Sequence, residues 1–265
     1  MAGERRLAHV TEPVVAVADQ LPAWVTLVRA PNPGPMTLDG TNTWVLRPAG
    51  SAPAVVVDPG PADEPHLRAV AEHGPIGAIL VTHGHPDHVE GLPRFQELTG
   101  AEVVTEPAVA GLRITRIETP GHTADSVCYL AETGGGRAIL TGDTILGRGT
   151  TIVAWPDGEL GAYLASLERL RAFEGVPVLP GHGPPLTDCA AAAGFYLAHR
   201  RARLEQVRAA VDAGARTPEA IAAAVYPDVD QSLRSVAEWS IRAQLAYLDQ
   251  ERRESQPRRE PLDSP

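Results

Sequence analysis

Lysine is missing from the 265-residue sequence, because all 23 basic residues are arginine. Together with abundant Ala, Gly and Pro, this bias indicates a GC-rich bacterial coding sequence more than a functional choice. The two cysteines, Cys128 and Cys189, are too few for a disulfide framework. Cys128 lies in the strand-like SVCYL segment, which predicts a buried thiol. Aromatic residues make up only 5%, so aliphatic side chains must form most of the core.

The sequence also lacks a long apolar run. No stretch approaches the roughly 20 residues that a membrane-spanning helix requires. Near the N-terminus, Glu12, Pro13 and Asp19 interrupt the apolar residues, so no secretory signal is expected. These patterns predict a cytoplasmic protein that does not use the membrane as a partner. The sequence does not indicate an oligomeric state.

Positive charge is scarce in most of the chain. Residues 1–198 contain 12 Arg and 22 acidic residues, whereas residues 199–265 contain 11 of each. An acidic body is unsuited to following nucleic-acid phosphates over a long distance. The locally basic HRRAR segment is followed by Glu205, and the last predicted helix carries Glu238 and Asp249. We therefore expect no sequence-specific DNA binding, although one phosphodiester could still enter an active site.

The run HGHPDH, from His83 to His88, is the most informative motif that is present. It follows the apolar stretch 76–82, and polar loops after strands often carry functional side chains. His83 and His85 lie two residues apart, so an extended backbone can direct both imidazoles to the same side. Asp87 and His88 follow as a second pair. Imidazole and carboxylate ligands suit zinc or another first-row metal.

Three more motifs each contribute one possible ligand: His122 in TPGHTADS, Asp143 in LTGDT and His182 in LPGHGPP. Each lies in or beside a Gly/Pro turn that follows an apolar stretch. The set contains five of the nine histidines and two aspartates. This is enough for two metal ions that share one carboxylate.

In its order and spacing this set resembles the metallo-β-lactamase superfamily over roughly residues 20–190. The resemblance implies an α/β fold, an αββα sandwich with two Zn²⁺ ions at one edge of the sheets. It implies that the first metal is held by His83, His85 and His122. The second would be held by Asp87, His88 and His182, and Asp143 would bridge both.

Departures from other branches of the superfamily narrow the expected chemistry. True zinc β-lactamases generally have a cysteine at the position of Asp143, so antibiotic hydrolysis is not expected. The compact hydrolases of the superfamily, which have no additional large domain, remain as candidates. They include glyoxalase II and the lactamase-beta-like-2 endoribonucleases. Residues 32–46, NPGPMTLDGTNTWVL, are similar to the N-terminal signature of the latter family. Thr41, Asn42 or Thr43 could bind substrate there or only cap turns, so no substrate contact is assigned.

Periodicity and turn residues predict the elements of the first 190 residues. The predicted helices are 65–73, with Asp63 as N-cap, then 88–98 and 160–171. The predicted strands are 24–30, 42–46, 54–58, 76–82, 101–105, 113–119, 126–130 and 138–140.

From about residue 190 the chain is predicted to be helical, over 190–211, 217–225 and 232–250. These helices resemble the small winged-helix-like appendage of the lactamase-beta-like-2 family, without an evident pair of wing strands. We expect the appendage to pack against the catalytic domain and wall one side of the cleft. The predicted organisation is a catalytic domain over 1–190, a C-terminal helical domain over 191–251 and a disordered tail over 252–265.

The resemblance favours a zinc-dependent hydrolase in which hydroxide attacks a phosphodiester of single-stranded RNA. Metal binding would lower the pKa of water toward about 7. Asp87 and His182 are the catalytic candidates: Asp87 would orient the attacking water, and His182 would help to protonate the leaving group. A thioester hydrolase, similar to glyoxalase II or to acyl-carrier thioesterases, is the alternative with a smaller substrate. Two further alternatives are an iron oxygenase and a non-catalytic protein that binds through its C-terminal helices. The iron oxygenase would not require His88 or His182 as metal ligands, and the non-catalytic protein would not require the full ligand set. The presence of all seven residues counts against both.

Overall fold

Two four-stranded sheets form the centre of the molecule. The structure is a computed structural model that describes residues 18–48, 50 and 53–255. The first sheet has the order β1-β2-β3-β4 and the second the order β5-β6-β7-β8. In both sheets the last pair is parallel and the other pairs are antiparallel. The strands are β1 Val25–Arg29, β2 Asn42–Leu46, β3 Ala54–Val57, β4 Ile76–Leu80, β5 Arg113–Glu118, β6 Val127–Thr133, β7 Gly136–Gly142 and β8 Val178–Pro180.

Side chains that alternate along the strands produce layers on both faces of each sheet. In β2, Trp44 and Leu46 pack between the two sheets, whereas Val45 faces the opposite side. In β7, Leu140 packs between the sheets and Ile139 faces outward. Both outward faces are apolar, so each must be covered by helices.

Helices cover both outer faces. The helices α1 (Glu64–Ala71), α2 (Pro86–Val89) and α3 (Leu92–Thr99) follow β3 and β4 along the chain. Leu67 of α1 and Phe95 of α3 pack against the first sheet. Leu167 of α4 (Leu160–Leu170) and Tyr196 of α5 (Cys189–Asp212) pack against the second. The predicted αββα sandwich is therefore confirmed.

The C-terminal part is helical. After α5 come α6 (Pro218–Val225), a 3-10 turn (Gln231–Leu233) and α7 (Arg234–Ser255). Ile221 of α6 and Ile241 of α7 belong to the same apolar cluster as α4 and α5, so the appendage packs on the second sheet's outer layer. Within residues 189–255 the structure contains no strand.

Three predicted elements differ from the structure. Segment 101–105 is not a strand, because it joins β4 only through the bridge between Ile79 and Val103. The helix predicted over 88–98 is divided into α2 and α3 at Gly91, whose N–H donates to the Gly60 carbonyl instead of continuing one helix. Residues 252–255, assigned to the tail, form the last turn of α7; residues 256–265 lie outside the described residues.

Both cysteines are buried and free. Burial raises the pKa of the Cys128 thiol to about 11, so this thiol is a poor nucleophile. None of the helices within the described ranges has the length and hydropathy that a membrane crossing requires.

Candidate metal centre

The motif after β4 supplies four of the seven candidate ligands. His83 and His85 lie in the loop after the strand, and His85 is the N-cap of the short helix α2. Asp87 and His88 occupy this helix and therefore project in other directions than the two loop histidines. Pro86 in the first turn suits the start of a helix, because it lacks only an N–H that would have no helical partner.

The other three candidate ligands follow strands of the second sheet. Asp143 comes directly after β7 and His182 follows β8, its parallel neighbour. His122 lies between β5 and β6. Because the carboxyl ends of parallel strands meet at one edge of a sheet, Asp143 and His182 lie close together.

The first cluster contains three imidazoles. His85 Nδ1 lies 3.1 Å from His83 Nε2 and 3.1 Å from His122 Nε2. A carboxylate oxygen of Asp143 completes this group of four possible ligands. The structure thus brings together the three histidines that the family resemblance assigns to one metal.

The second cluster contains Asp87, His88 and His182. Their facing nitrogens, the Nε2 atoms of His88 and His182, are 3.4 Å apart. Asp87 Oδ2 lies 3.2 Å from His182 Nε2 and 3.4 Å from His88 Nε2. The side chains proposed for catalysis, Asp87 and His182, are therefore adjacent and belong to the same cluster.

Asp143 connects the clusters. Its Oδ1 lies 3.5 Å from His88 Nε2, whereas its Oδ2 lies 3.4 Å from His182 Nε2 and 3.7 Å from His122 Nε2. Among the described residues, no hydrogen-bond donor pairs with the buried Oδ1 atom. A buried carboxylate oxygen without a partner is costly, so a cation is expected beside it.

These separations fit zinc. A tetrahedral ion with bonds of about 2.0–2.1 Å places neighbouring ligand atoms about 3.3 Å apart. The separations of 3.1 to 3.7 Å within the centre scatter around that value. The cluster of His and Asp side chains can therefore bind a metal ion.

Each of the five histidines directs its second nitrogen away from the centre. His83 Nδ1 lies 3.1 Å from Thr82 Oγ1, and His88 Nδ1 lies 2.8 Å from Asp58 Oδ2. Such contacts orient metal-binding imidazoles and fix their tautomers. The remaining contacts are His85 Nε2 to Asp157 Oδ2 at 3.3 Å, His122 Nδ1 to the Ile152 carbonyl at 2.8 Å and His182 Nδ1 to the Gly40 carbonyl at 3.4 Å.

Asp58 is a functional candidate that sequence reasoning missed. This buried carboxylate accepts hydrogen bonds from Thr82 N at 2.8 Å and Thr82 Oγ1 at 2.7 Å, besides its contact with His88. Its φ of 53° lies in the left-handed region. An aspartate between the apolar VVV run and Pro-Gly was the available signal, but the pattern also suits an ordinary turn.

Burial and neighbouring charges shift the pKa values of the ionisable side chains in the centre. Burial lowers the pKa of His83 to about 2, and nearby His88 adds to that shift. Burial also disfavours charged His88, but Asp143 and Asp58 outweigh this effect and hold its pKa well above the ordinary value. In the same way Asp143 raises the pKa of His182 to about 9 despite burial. Ionised carboxylates thus collect at a buried point where divalent cations can neutralise them.

The signature segment 32–46 has a structural role at the centre. Thr41 Oγ1 donates to Asp87 Oδ2 at 2.9 Å and so orients that carboxylate. Asn42 donates to the carbonyls of Pro180 and Gly183, and Thr43 donates to the carbonyl of Asp58. All three side chains are fully buried, so their hydrogen-bonding groups are committed within the protein.

Gly181 leaves room for the ligands. A Cβ atom at this position would overlap Asp143 Oδ1 and lie 2.8 Å from His88 Cε1. Both neighbours belong to the centre and are held by other contacts. The glycine between β8 and His182 is therefore required by the closeness of the ligands rather than by its backbone conformation.

Comparison with known proteins identifies two families. A family model described as the metallo-beta-lactamase superfamily matches residues 36–116 and 108–182. A second model, described as the beta-lactamase associated winged helix domain, matches residues 217–256. Between them the two matches include all seven candidate ligands and most of the C-terminal helices.

Individual relatives cover most of the chain. A beta-lactamase-like protein 2 homolog from Caenorhabditis elegans is 33% identical over 238 residues, which is 76% of this chain and 74% of the relative. An atrochrysone carboxyl ACP thioesterase from Aspergillus chevalieri is 34% identical over 210 residues, 71% of this chain and 65% of the relative. A metallo-beta-lactamase family protein from Thermus thermophilus superimposes with a TM-score of 0.69 at 23% identity, over 86% of this chain and 94% of that one.

Proposed function

The chain belongs to the metallo-β-lactamase superfamily, a family of hydrolases, and we propose that it is a dinuclear zinc enzyme that hydrolyses an acyl thioester. The observation that supports two metals is the position of Asp143, whose two oxygens face nitrogens of both ligand clusters. In this proposal His83, His85 and His122 hold one zinc ion. Asp87, His88 and His182 hold the other, and Asp143 bridges them.

Zinc ions bound in this way would act as Lewis acids and bring the pKa of water toward about 7. The protein's own residues set the geometry. Thr41 donates to Asp87 Oδ2, which lies 3.2 Å from His182 Nε2. Asp87 is placed to accept a hydrogen bond from the attacking water. His182 would hold zinc through Nε2, and its Nδ1 lies 3.4 Å from the Gly40 carbonyl, so it has no proton to give to the leaving group.

The reaction balances without a further reactant. The water oxygen forms a bond to the carbonyl carbon, the carbon–sulfur bond breaks, and the products are a carboxylic acid and a thiol. A thiolate with a pKa of about 8.5 leaves more readily than an alkoxide. Protonation of the leaving group is therefore less demanding for a thioester than for a phosphodiester.

Two observations favour the thioester, which the sequence alone placed second. One relative with 34% identity is named as an acyl-carrier thioesterase. In addition, a cavity of about 1050 Å³ with a largely apolar wall is lined by Thr151 and Ile152, which contact Asp143 and His122 of the metal centre. An apolar cavity suits an acyl group better than a ribose-phosphate chain.

The test combines metal analysis with two substrates. We expect about two zinc ions per chain and hydrolysis of decanoyl-pantetheine, with activity lost in Asp87→Ala and His182→Ala. Asp212→Asn, an exposed position at the end of α5, is the control that should retain both zinc and activity. A zinc-loaded protein that leaves the thioester intact would refute the thioesterase proposal, and a protein that binds no metal would refute the dinuclear centre.

Cleavage of single-stranded RNA is the second candidate function. The side chains of Trp155 and Trp239 are exposed, at 49% and 48%. The backbone N–H of Trp155 donates to the backbone carbonyl of Trp239, so the two residues are adjacent. Two residues after Trp155, Asp157 contacts His85. Two exposed indoles near a metal centre could stack on the bases of a flexible strand.

A fluorescent single-stranded RNA tests this candidate in the same assay. Base–aromatic stacking is worth about 1–3 kcal/mol per base, so Trp239→Ala should reduce RNA cleavage at least about fivefold. The same substitution should have little effect on decanoyl-pantetheine. Equal RNA cleavage by wild type and Trp239→Ala would remove the structural support for the nuclease, and RNA that stays intact would exclude it.

A further inference from the structure

A cavity of about 1050 Å³ lies between segment 149–152 and the helices α5, α6 and α7. We call it the helical cavity. Much of its wall is apolar, with contributions from Ala209 and Ala210 of α5, Val225 of α6 and Val236 of α7. No candidate metal ligand lines this space, so the helical cavity is distinct from the metal centre itself.

Two arginines of α5 also line the helical cavity. Arg200 is only 6% exposed, and its Nη2 donates to the carbonyl of Thr151. Its Nε is buried and has no hydrogen-bond partner among the described residues. The guanidinium group lies over the Tyr163 ring, 5.3 Å from the centroid, so Arg200 contributes positive charge to the wall while its Nε stays enclosed.

Arg203 lies one helical turn further on. Its Nη1 donates to Gln206 Oε1 and to the carbonyl of Val225, both at 2.9 Å. Its guanidinium group also lies over the ring of Tyr226, 4.6 Å from the centroid. These contacts hold the cation at the wall while leaving its charge without a carboxylate partner.

The charge of the wall is positive. Within the described part of the chain, neither Arg200 nor Arg203 forms an ion pair with a carboxylate within 4.0 Å. The acidic group of the wall is the exposed Asp228, and His199 lines the same space. Two guanidinium groups and one exposed carboxylate in a space with a largely apolar wall suit an apolar molecule with one anionic group.

One segment separates the helical cavity from the metal centre. Thr151 and Ile152 line the cavity, while Thr151 Oγ1 donates to the backbone carbonyl of Asp143. The Ile152 carbonyl accepts from His122 Nδ1 at 2.8 Å. The helical cavity and the metal centre therefore lie on opposite sides of this one segment.

We propose that the helical cavity binds the acyl group of the substrate, and that this acyl group is apolar and carries a distal anionic oxygen that accepts a hydrogen bond from Arg203 beside the positive charge of Arg200. This inference rests on the proposed thioesterase function. The apolar wall holds the body of the acyl group. The two guanidinium groups select its distal end and leave the thioester at the opposite end, toward the metal centre.

Direct binding tests the helical cavity without turnover. The probe is 1-octanesulfonate, an apolar anion that coordinates zinc weakly, and 1-octanol is its neutral counterpart. We expect the zinc-loaded protein to bind the sulfonate at least tenfold more tightly than the alcohol in calorimetric titrations. Arg203→Met should abolish this preference, because it removes a cation and keeps an apolar side chain of similar length.

Two neighbouring alanines of α6 provide a matched pair. Ala223 and Ala224 are both exposed, but only Ala224 lines the helical cavity. Ala224→Phe should fill the space and weaken octanesulfonate binding at least tenfold, whereas Ala223→Phe should bind it as wild type does. Equal binding by both variants would overturn the inference.

Turnover then separates the inference from the proposed function. Decanoyl-pantetheine and its analogue with a carboxylate at the distal carbon are compared. Arg203→Met should raise KM about tenfold for the carboxylate analogue while leaving KM for decanoyl-pantetheine unchanged. If neither thioester is hydrolysed but octanesulfonate binding follows the expected pattern, the thioesterase proposal fails and the anion site stands; an unchanged KM for the carboxylate analogue would refute its role in substrate selection.

Discussion

At the scale of single residues, Asp58 supports the centre although it belongs to neither ligand cluster. It accepts from His88 Nδ1 and from two groups of Thr82, and Thr82 in turn contacts His83. One buried carboxylate thereby orients a histidine of each cluster. Its contact with His88 requires the Nδ1–H tautomer and leaves the Nε2 lone pair for a metal.

Replacing this carboxylate by an amide should weaken the metal centre. In Asp58→Asn the side-chain NH₂ would face either Thr82 or His88, and against His88 it favours the tautomer with the proton on Nε2. Asparagine tolerates the left-handed backbone, so the fold should be preserved. Because such orienting contacts contribute about 10–100-fold to metal affinity, we expect a loss of that size in competition titrations with a zinc chelator.

The control for this substitution is Asp63→Asn. Asp63 caps α1 by accepting from the His66 N–H, and asparagine is an equally good N-cap. Its zinc affinity should match that of wild type. Unchanged affinity in Asp58→Asn would show that His88 keeps its tautomer without the carboxylate.

In the proposed mechanism, Thr41 acts on catalysis through Asp87. Its hydroxyl donates to Asp87 Oδ2 and accepts from Asn32 Nδ2. Thr41→Val removes both hydrogen bonds and keeps the shape. A hydrogen bond to a charged group is worth about 1.5–3 kcal/mol, so kcat should fall at least about tenfold.

The matched variant Thr41→Ser restores the hydroxyl without the methyl group. We expect it to recover most of the kcat that Thr41→Val loses, while the zinc content of both variants stays near that of wild type. Equal kcat in the valine and serine variants would indicate that the packing of Thr41, rather than its hydrogen bond, matters.

At the scale of elements, the centre depends on how closely the ends of β4, β7 and β8 approach. Gly181 follows β8 directly, and a Cβ atom at this position would overlap Asp143 and His88 of the centre. Gly181→Ala should displace these ligands and lower the zinc content below one ion per chain, measured by elemental analysis. The secondary structure measured by circular dichroism should be retained, because the φ of Gly181 is not positive.

A second glycine serves as the control. A Cβ atom at Gly194, within α5, would meet nothing within 4 Å. Gly194→Ala should therefore keep both zinc ions and stabilise the fold by about 0.5–1 kcal/mol, since alanine favours a helix interior. Full zinc occupancy in Gly181→Ala would mean that the ligands can move apart without loss of binding.

Elements were predictable where local pattern and tertiary packing agree. The strand over 42–46 and the N-cap Asp63 match the structure because a turn-rich loop before a strand and a capping side chain are signals that act over a few residues. The strand over 101–105 was wrong because strand pairing is decided elsewhere: the segment makes two backbone hydrogen bonds to Ile79, and Val103 remains 43% exposed. The break at Gly91 likewise depends on Gly60, which is distant in sequence.

The residues of the candidate site were likewise predictable only where the signal is local in the sequence. Five histidines and two aspartates could be found in the sequence because each ligand lies in a recognisable motif at the end of an apolar run. Asp58 could not be distinguished from a turn residue, since its role depends on the parallel pairing of β3 with β4. The helical cavity was also not predictable, because its walls come from segment 149–152 and from three helices much later in the chain.

At the scale of the whole molecule, the centre joins the two halves of the sandwich. His83, His85, Asp87 and His88 follow a strand of the first sheet, whereas Asp143 and His182 follow strands of the second. The sheets also share an apolar layer that includes Trp44, Leu80 and Leu140. A metal that binds both groups of ligands therefore acts as a cross-link between the sheets in the folded state.

Removal of the metal should accordingly destabilise the entire sandwich. A ligand present at 100 times its Kd stabilises the folded state by about 2.7 kcal/mol. For a chain of this size, each kcal/mol corresponds to about 2–4 °C in Tm, so exhaustive chelation should lower Tm by about 5–10 °C. The measurement is thermal unfolding of the full chain before chelation, after it and after zinc is restored, with magnesium as the control ion. Zinc should restore Tm and magnesium should not, because imidazole ligands suit zinc. An unchanged Tm in protein shown to be free of metal would mean that the seven side chains hold the two sheets together without an ion.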